Sequence, residues 1–295
     1  MNLRDLQYLV SVHNCKSFSR AANECFVSQP TLSGQIKKLE EQLGSSLIER
    51  STRKVLFTPL GEDVVRHAKD ILRSVDKIQS VVQSHGDPMA GEFHIGLIPT
   101  IGPFLLPLIM PGLGELFPQT KLFLYELRTQ DLLQQLQKGE IDAAILARLN
   151  WVLPYDQIDL YHEPMQLAVS KDDCLLDSID EVCLEHLDNR RVLMLEDGHC
   201  LRDQALDVCF SAGAREDNRF RATSMDTLLH MVATGTGMTL IPDLATRTRV
   251  QGVRFIRFKD PAPNREIVML TRKNCPRTDA LLNIARHISQ TVSSL

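Results

Sequence analysis

Cys200 and Cys209 lie at the two ends of one short segment, and their spacing bears directly on what chemistry they can do. The segment is predicted to be a helix, because its apolar residues recur at helical spacing and Gly213 is a stop signal. Nine helical residues rise roughly 13 Å and turn about 900°, which puts the two sulfur atoms on opposite faces. A disulfide requires Cα atoms within about 7 Å. These thiols therefore either never meet or meet only when the helix comes apart, which would make a redox switch.

The sequence neighbours of Cys200 favour a reactive thiol. The residue falls near the predicted helix N-terminus, where free backbone N–H groups and the helix dipole stabilise a thiolate. His199 and Arg202 are close by, and Asp203 shares the face of Cys200 and could handle a proton. Cys209 belongs to the apolar stripe, as expected of a buried resolving thiol. The alternative is that both cysteines are inert small hydrophobic residues, and the spacing alone leaves both interpretations open.

Length and composition limit the class of protein. The 295 residues leave room for two or three domains, and the 43% hydrophobic content is typical of a soluble globular protein. We see no charged-then-apolar leader and no apolar run near the ~18 residues of a membrane span, so we expect a cytoplasmic protein without membrane contact. The seven cysteines are odd in number and show no C-x-x-C spacing, so we expect neither a disulfide framework nor a metal, and no other cofactor. The cysteines outside the candidate switch are Cys15, Cys25, Cys174, Cys183 and Cys275.

The charge is distributed unevenly along the chain. The net charge is −4, yet residues 1–60 hold eight Lys and Arg against five Asp and Glu. The N-terminal part is therefore basic and the remainder acidic. This asymmetry favours an anion-binding module attached to a mildly acidic body.

Residues 1–60 have the pattern of a helix-turn-helix domain. Apolar stripes predict three helices, the second capped by Ser17 or Ser19 and the third capped by Ser28 and ended by Gly44. Two short helices joined by a tight turn form a helix-turn-helix, in which the N-terminal residues of the second helix contact base edges. A generic three-helix interaction module is the alternative.

The polar face of the third helix supplies the candidate DNA contacts. Segments 47–50 and 55–57 are predicted to form a β-hairpin wing whose tip carries Arg53 and Lys54, positioned to contact the DNA backbone. The candidates for contacts to bases or phosphates are Arg4, Gln29, Pro30, Thr31, Ser33, Gln35, Lys37, Lys38, Arg50 and Arg53.

A long helix is predicted from Gly61 to Ser84, where no helix breaker occurs. Its apolar residues are spaced 4-3-4-3-4, as in a heptad seam: Val64, Ala68, Ile71, Val75, Ile78 and Val82. The pattern favours pairing with a second chain, which would place two recognition helices on a two-fold DNA site. A single helix packed on its own body would show a similar stripe. The segment His85-Gly-Asp-Pro88 ends the helix.

After residue 90 predicted strands and helices alternate, which implies parallel α/β sheets. Ligands in such folds bind beyond the strand ends, near helix N-termini. Thr100 follows the first strand, and Thr129 precedes the helix that contains Asp131. Helix capping is the simplest interpretation of each threonine taken alone.

Three segments resemble the OxyR branch of the LysR family of bacterial transcriptional regulators: Gly198-His-Cys-Leu-Arg-Asp-Gln-Ala205, Val27-Ser-Gln-Pro-Thr-Leu-Ser-Gly-Gln-Ile36 and His94-Ile-Gly-Leu-Ile-Pro-Thr-Ile-Gly-Pro103. The likeness covers nearly the whole chain. It implies a winged helix-turn-helix domain at 1–60, a linker and dimerisation helix at 61–87, and a two-lobed, periplasmic-binding-protein-like α/β regulatory domain at 88–295.

The resemblance also implies a function and a set of site residues. Peroxide would oxidise Cys200 to a sulfenic acid, and a disulfide with Cys209 would then change the regulatory domain and promoter binding. The implied peroxide pocket contains Thr100, Thr129, His199, Arg202, Asp203 and, near the thiolate, Arg272. The implied partners are hydrogen peroxide, double-stranded promoter DNA, further copies of the chain as homodimer and homotetramer, RNA polymerase, and glutaredoxin or thioredoxin as reductant.

Two other functions stay open on the residues alone. A LysR-type regulator could bind a small organic effector in its two-lobed domain, with the cysteines purely structural. A thiol peroxidase could use the same Cys, Thr and Asp chemistry. Because catalysis does not need a helix-turn-helix, we predict a regulator and not an enzyme.

Overall fold

The computed structural model describes residues 1–49, 55–83, 88–149, 151, 154–173, 180–248 and 250–295, with side chains 76, 77 and 79–83 excepted. Several predicted features lie outside the described residues: Arg50, Arg53, Lys54, Cys174 and most of the helix break at 85–88. The chain divides into two compact units, Met1–His85 and Gly86–Leu295. In the described ranges, none of the helices combines the length and the apolar character that crossing a bilayer requires.

The N-terminal unit consists of three helices and a short hairpin: α1 (Leu3–Cys15), α2 (Phe18–Glu24), α3 (Gln29–Leu43), β1 (Ile48–Glu49) and β2 (Leu56–Phe57). Ser17 caps α2 by accepting a hydrogen bond from the backbone N–H of Arg20. Ser28 caps α3 in the same way through Thr31, and Gly44 ends it in the left-handed conformation. These contacts confirm the predicted helix starts and the predicted end of α3. The two strands pair antiparallel, as the predicted wing requires.

The long helix is α4 (Pro59–Gln83), which begins two residues before its predicted start. Val64 and Val65 pack in the core of the N-terminal unit, and Ala68 is buried. Ile71 and Ile78 of the heptad stripe are instead 42% and 66% exposed. Packing on its own unit therefore accounts for only the first part of the stripe. Pairing with a second chain remains our prediction for the rest.

The C-terminal unit alternates strands and helices: β3 (Gly91–Leu97), α5 (Gly102–Leu116), β4 (Thr120–Glu126), α6 (Thr129–Lys138), β5 (Ala143–Ala147), β6 (Tyr155–Ser170), β7 (Glu181–Val182), β8 (Arg191–Leu195), α7 (Cys200–Ser211), β9 (Arg215–Ala222), α8 (Met225–Ala233), β10 (Thr239–Pro242), β11 (Val253–Phe258), β12 (Asn264–Arg272) and α9 (Thr278–Ser293). The strand–helix alternation agrees with the predicted α/β class.

The sheet of this unit is mixed, which corrects the prediction of parallel sheets. Its strand order is β4-β3-β5-β12-β6-β11-β7, with β10 also on β6. The pairs β3–β4, β3–β5 and β7–β11 are parallel, whereas β12 and β6 pair antiparallel with their neighbours. A second short sheet joins β8 and β9 in parallel. The difference arises because the chain returns through β6 and β12, and returning strands run against the βαβ direction.

Two hydrophobic cores divide this unit into lobes. The first-lobe core includes Phe93, Leu105, Leu132, Ile145, Met269 and Leu281, from β3, α5, α6, β5, β12 and α9. The second-lobe core includes Leu167, Leu193, Leu201, Cys209, Leu229 and Ile256, from β6, β8, α7, α8 and β11. Strand β6 passes from one lobe to the other, because its first half pairs with β12 and its second half with β10 and β11.

Candidate redox and DNA-binding sites

Cys200 is the first residue of α7 and lies where the two lobes meet. The rest of α7 packs in the second lobe through Leu201 and Cys209, but half-buried Cys200 packs against the first-lobe core. Around its thiol are the Thr129 hydroxyl, the backbone N–H of Ala147 and a guanidinium, that of Arg265. One sulfur atom thus faces groups supplied by α6, β5 and β12.

The surroundings of Cys200 act on its pKa in opposite directions. Burial raises the pKa of the thiol, and this effect is larger than the lowering by Arg265, by Thr129 and by the Ala147 N–H. The negative charge of exposed Asp203, one helical turn away, raises it further. The expectation that the helix N-terminus favours a thiolate is therefore wrong for this conformation, since desolvation outweighs it. Reduced Cys200 is mainly a thiol at neutral pH, with the thiolate a minor species.

Arg265 is held in place by a buried network. It lies opposite Glu163 in the β12–β6 register, and its Nε and Nη2 atoms are 2.9 and 2.8 Å from Glu163 Oε2. Its Nη1 donates to the Thr100 hydroxyl at 3.1 Å, and its Nη2 donates to the Thr100 carbonyl at 2.9 Å. The other Glu163 oxygen accepts the backbone N–H of Leu244 at 3.1 Å. All the side-chain groups of this network are buried, so charge-assisted hydrogen bonds hold the guanidinium at a fixed place from which its charge acts on Cys200.

The two threonines of the predicted pocket do not cap their helices. Helix α5 begins after Ile101 and α6 after Arg128, and neither Thr100 nor Thr129 makes a side-chain cap. Thr100 binds Arg265 instead. The buried Thr129 hydroxyl lowers the pKa of Cys200, yet it has no hydrogen bond of ordinary geometry to any described residue. A buried hydroxyl without a partner beside a thiol leaves a donor and acceptor available to a small polar molecule.

Arg272 does not lie near the thiol, which corrects its predicted role. Its guanidinium donates to the Leu136 carbonyl at 2.9 Å and to the Ile141 carbonyl, and it lies 3.6 Å from the Asp142 carboxylate. The seven residues from Arg265 to Arg272 span about 23 Å of strand, so the two arginines mark opposite ends of β12. Arg265 occupies the place beside the thiol that the resemblance assigned to Arg272.

Arg202 does not line the pocket either. Its guanidinium forms two hydrogen bonds to Glu216, at 2.7 and 3.1 Å, and one to Asp197 at 3.0 Å. A further bond, of 3.2 Å, reaches the Leu195 carbonyl. Two helical residues turn by about 200°, which puts Arg202 on the face of α7 opposite Cys200. The buried pair of Arg202 and Glu216 instead fastens the first turn of α7 to strand β9.

His199 precedes Cys200 and lines a cleft between the lobes. The ring is buried, and its Nε2 has no hydrogen-bond partner among the described residues. Burial and the charge of Arg128 lower the pKa of His199, against the opposing effect of Glu196, so the ring is neutral. The cleft measures about 510 Å³, and Thr100 is also part of its wall.

Cys209 is separated from Cys200 by the helix and by the division into lobes. It is buried in the second-lobe core, and burial raises its pKa to about 12. Both cysteines are free thiols. The nine-residue rise of roughly 13 Å, predicted from the sequence, holds because α7 is continuous from Cys200 to Ser211. The two sulfurs can bond only after this helix unwinds.

The remaining described cysteines, Cys15, Cys25, Cys183 and Cys275, are also free. Among the residues that the structure describes, no cluster of three His, Cys, Asp or Glu side chains is arranged to hold a metal ion.

Arg4 belongs to α1, and the other described DNA-contact candidates belong to α3. Gln29, Pro30 and Thr31 occupy its first turn and are exposed. Ser33 and Gln35 are half-buried, while Arg4, Lys37 and Lys38 are exposed. Lys37 is within 3.8 Å of Glu41, a weak surface pair. The first turn of α3 is thus open to a groove of DNA. Arg50 and Arg53 lie outside the described residues.

Comparison with known proteins places the chain in a family. The family model for the LysR substrate binding domain matches residues 86–293, and that for the bacterial regulatory helix-turn-helix protein of the lysR family matches residues 3–62. The chain belongs to the LysR family. A hydrogen peroxide-inducible genes activator of Haemophilus influenzae is 45% identical over 298 residues, covering 100% of this chain and 98% of the relative.

Solved structures of OxyR, a LysR-type regulator, match nearly the whole chain. A full-length OxyR variant from Pseudomonas aeruginosa is 33% identical with a TM-score of 0.71, covering 98% of each chain. A Corynebacterium glutamicum OxyR mutant with H2O2 bound is 30% identical with a TM-score of 0.69, covering 99% of this chain and 93% of that one. The predicted fold class and the predicted OxyR resemblance are both confirmed.

Reasoning from the LysR pattern missed Arg265 and Glu163. A partial signal was available, because Arg265 alternates with the apolar residues Ile267 and Met269 on one face of β12, and all three are buried. Charged residues are rarely buried unless they are paired, so two opposite charges at inward-facing strand positions predict a buried ion pair. The register of β6 and β12, which determines that they meet, was not visible in the sequence.

Proposed function

We propose that this chain is a DNA-binding transcriptional regulator that senses hydrogen peroxide through Cys200 and Cys209. The observation that carries the proposal is the position of Cys200, beside the unpartnered Thr129 hydroxyl and the Arg265 guanidinium, with its resolving partner buried nine residues away in another core. The names of its relatives, a peroxide-inducible genes activator and an H2O2-bound OxyR, support the same function.

In the proposed first step the minor thiolate form of Cys200 attacks one oxygen of hydrogen peroxide. The O–O bond breaks, the departing hydroxide takes up a proton to become water, and Cys200 is left as a sulfenic acid. Arg265 stabilises the thiolate and the charge that moves to the departing oxygen, and Thr129 orients the oxidant. Asp203 is close enough to relay a proton at the exposed side of the site.

In the proposed second step α7 unwinds and Cys209 attacks the sulfenic sulfur. A disulfide forms and a second water molecule leaves. The buried Cys209 thiol has a pKa of about 12, so exposure on unwinding returns it toward its ordinary range and increases its reactivity. Unwinding also removes the contact that Cys200 makes with the first lobe, and the repacked lobes alter how paired chains present their recognition helices to DNA.

The proposal extends to partners and location. Paired chains, assembled as a dimer of dimers, bind promoter DNA and recruit RNA polymerase in the cytoplasm, and a glutaredoxin or thioredoxin resets the disulfide by exchange. Peroxide is a stoichiometric signal for the chain and not the substrate of an enzyme.

Thiol counting with peptide mapping tests the switch. We expect about one equivalent of peroxide to convert Cys200 and Cys209 into a disulfide in the wild type. The Cys200→Ser protein should keep all its other thiols and its basal DNA binding but lose the peroxide response. Unreacted thiols in the wild type, or loss of all DNA binding in Cys200→Ser, contradict the proposal.

A second candidate function rests on the cleft beside His199. Its volume of about 510 Å³ suits a small organic ligand, and His199 Nε2 is available for a hydrogen bond there. In that case the chain responds to an organic effector, and the cysteines are structural. Calorimetric binding of a metabolite, with a full transcriptional response in Cys209→Ala, favours this second function over the first.

A further inference from the structure

Phe26 combines two features that are individually uncommon in a folded domain. It lies in the turn between α2 and α3 and is 95% exposed. Its φ angle is +53°, in the left-handed region that bulky side chains rarely adopt. Of the other aromatic residues in the described part of this unit, Tyr8 is buried and Phe18 and Phe57 are half-buried. Among the described aromatic residues of the N-terminal unit, Phe26 alone exposes nearly its whole ring.

The turn around Phe26 is well anchored, so the exposure of the ring is built into the backbone. The Phe26 N–H donates to the Asn23 carbonyl at 3.2 Å, and the Val27 N–H donates to the Ala22 carbonyl at 2.9 Å. Cys25 and Val27, on either side, pack against the core of the unit. With both neighbours turned inward, the left-handed residue between them must point outward. The fold tolerates both an unfavourable conformation and an unburied ring at this position.

The position of Phe26 points to a function for the ring. Ser28, Gln29, Pro30 and Thr31 follow it as one exposed stretch, which is the end of α3 proposed to meet base edges. A residue that leads directly into that end reaches the same groove. The surrounding residues 1–60 carry a net positive charge, which complements DNA and not an apolar protein surface.

We propose that Phe26 is a specificity-determining residue that packs on the C5-methyl group of a thymine in the major groove. The thymine methyl is the apolar feature that major-groove readers recognise by contact with side chains such as Phe. The inference rests on the proposed DNA-binding function and deepens it, because it names a base that the helix-turn-helix selects. It also accounts for an aromatic ring at a position where Asn or Gly would fit the backbone better.

The test uses the full-length reduced protein and DNA selected by it from a random 30-base-pair duplex library. Each thymine of the selected duplex is replaced in turn by deoxyuridine, which removes only the methyl group, and affinities are measured by fluorescence anisotropy. We expect one thymine per half-site at which the wild type binds deoxyuridine about four-fold more weakly, the factor expected for one buried methyl group. At that position Phe26→Asn should bind the thymine and deoxyuridine duplexes equally, and both more weakly than the wild type binds thymine.

Two matched measurements separate a DNA contact from a structural role. Phe26→Asn should melt at the same or a higher temperature, because Asn tolerates the left-handed conformation, so stability and affinity move in opposite directions. The slope of affinity against salt should not change, because no phosphate contact is lost. Phe26→Leu, which keeps apolar bulk, should retain part of the preference for thymine.

The possible failures are distinguishable. A wild type that enriches no sequence overturns the proposed DNA-binding function itself. A wild type that selects a site but is equally tolerant of deoxyuridine everywhere, or selects a site without thymine, overturns the role of Phe26 alone. Undiminished affinity in Phe26→Asn also overturns it, and the ring then serves a protein contact.

Discussion

Replacement of Arg265 by Met removes the one arginine charge that acts on Cys200 among the described residues and leaves Glu163 buried without its partner. Two consequences follow from one substitution. An opposite charge close to a titratable group typically lowers its pKa by about 1–3 units, so loss of the guanidinium leaves about 10- to 1,000-fold less thiolate at neutral pH. The greater nucleophilicity of the more basic thiolate offsets part of this loss. We expect Cys200 to react with peroxide about 3- to 60-fold more slowly.

The second consequence is a loss of stability. Removing one partner of a buried ion pair costs about 3–5 kcal/mol, because the other charge stays desolvated. The double variant Arg265→Met/Glu163→Gln removes that unpaired charge, and the carbonyl of the introduced glutamine can still accept the Leu244 N–H bond that Glu163 accepts at 3.1 Å. We expect the double variant to recover at least about 2 kcal/mol of the loss. Its reaction with peroxide should stay as slow as that of the single variant.

Urea unfolding measures the stability of the three proteins, and quenched-flow thiol trapping measures the rate of Cys200 oxidation. Arg272→Ala is the matched control, since it removes an arginine of the same strand that bonds the Leu136 and Ile141 carbonyls. It should lower stability by about 1–3 kcal/mol and leave the oxidation rate unchanged. A double variant that regains wild-type oxidation along with stability refutes our reasoning, because Arg265 then acts only as scaffolding.

Three further predictions follow from the same contacts. Because burial raises the pKa of Cys200 and only the thiolate reacts, the rate of Cys200 oxidation should rise about ten-fold per pH unit from pH 6 to 8. Stopped-flow kinetics measure this rate, and a rate that does not change with pH contradicts the prediction. Glu216→Gln should weaken the ion pair through which Arg202 holds the first turn of α7, so the unfolding free energy should fall by about 3 kcal/mol and the disulfide should form at a lower peroxide concentration. Urea unfolding measures the first effect and thiol titration the second. Unchanged peroxide sensitivity counts against this prediction. Ile78→Glu should dissociate paired chains, since this 66% exposed residue continues the heptad stripe; an unchanged mass in analytical ultracentrifugation excludes that pairing.

Local signals in the sequence were sufficient for the secondary structure of the N-terminal unit. Ser17, Ser28 and Gly44 cap or end helices as predicted, because a cap depends only on residues within one turn of it. The direction of the strands was harder to predict from the sequence. The alternation of strands and helices predicted parallel sheets, whereas the main sheet is mixed. The antiparallel pairing of β6 and β12 joins residues about a hundred positions apart in the sequence, so local patterns do not reveal it.

The candidate site was predicted unevenly for the same reason. Cys200, Thr129 and Asp203 are brought together as expected, whereas Arg202 and Arg272 are directed elsewhere. Arg202 follows Cys200 by two residues, which on a helix means the opposite face, so helical geometry could have excluded it. The place of Arg265 beside the thiol depended on the fold, because the register of β12 against β6 brings Arg265 to Glu163 and the packing of α7 brings Cys200 close to Arg265.

The sequence by itself determined the helix between two thiols, and with it the condition that they cannot bond while that helix is intact. That conclusion needs only the rise and turn of one element. The tertiary structure alone decided that the two thiols belong to different cores, that Cys200 is held as a thiol, and which arginine faces it. The burial of a side chain and the charges that act on it depend on atoms from many parts of the chain. Those parts meet only when the strands and lobes have packed.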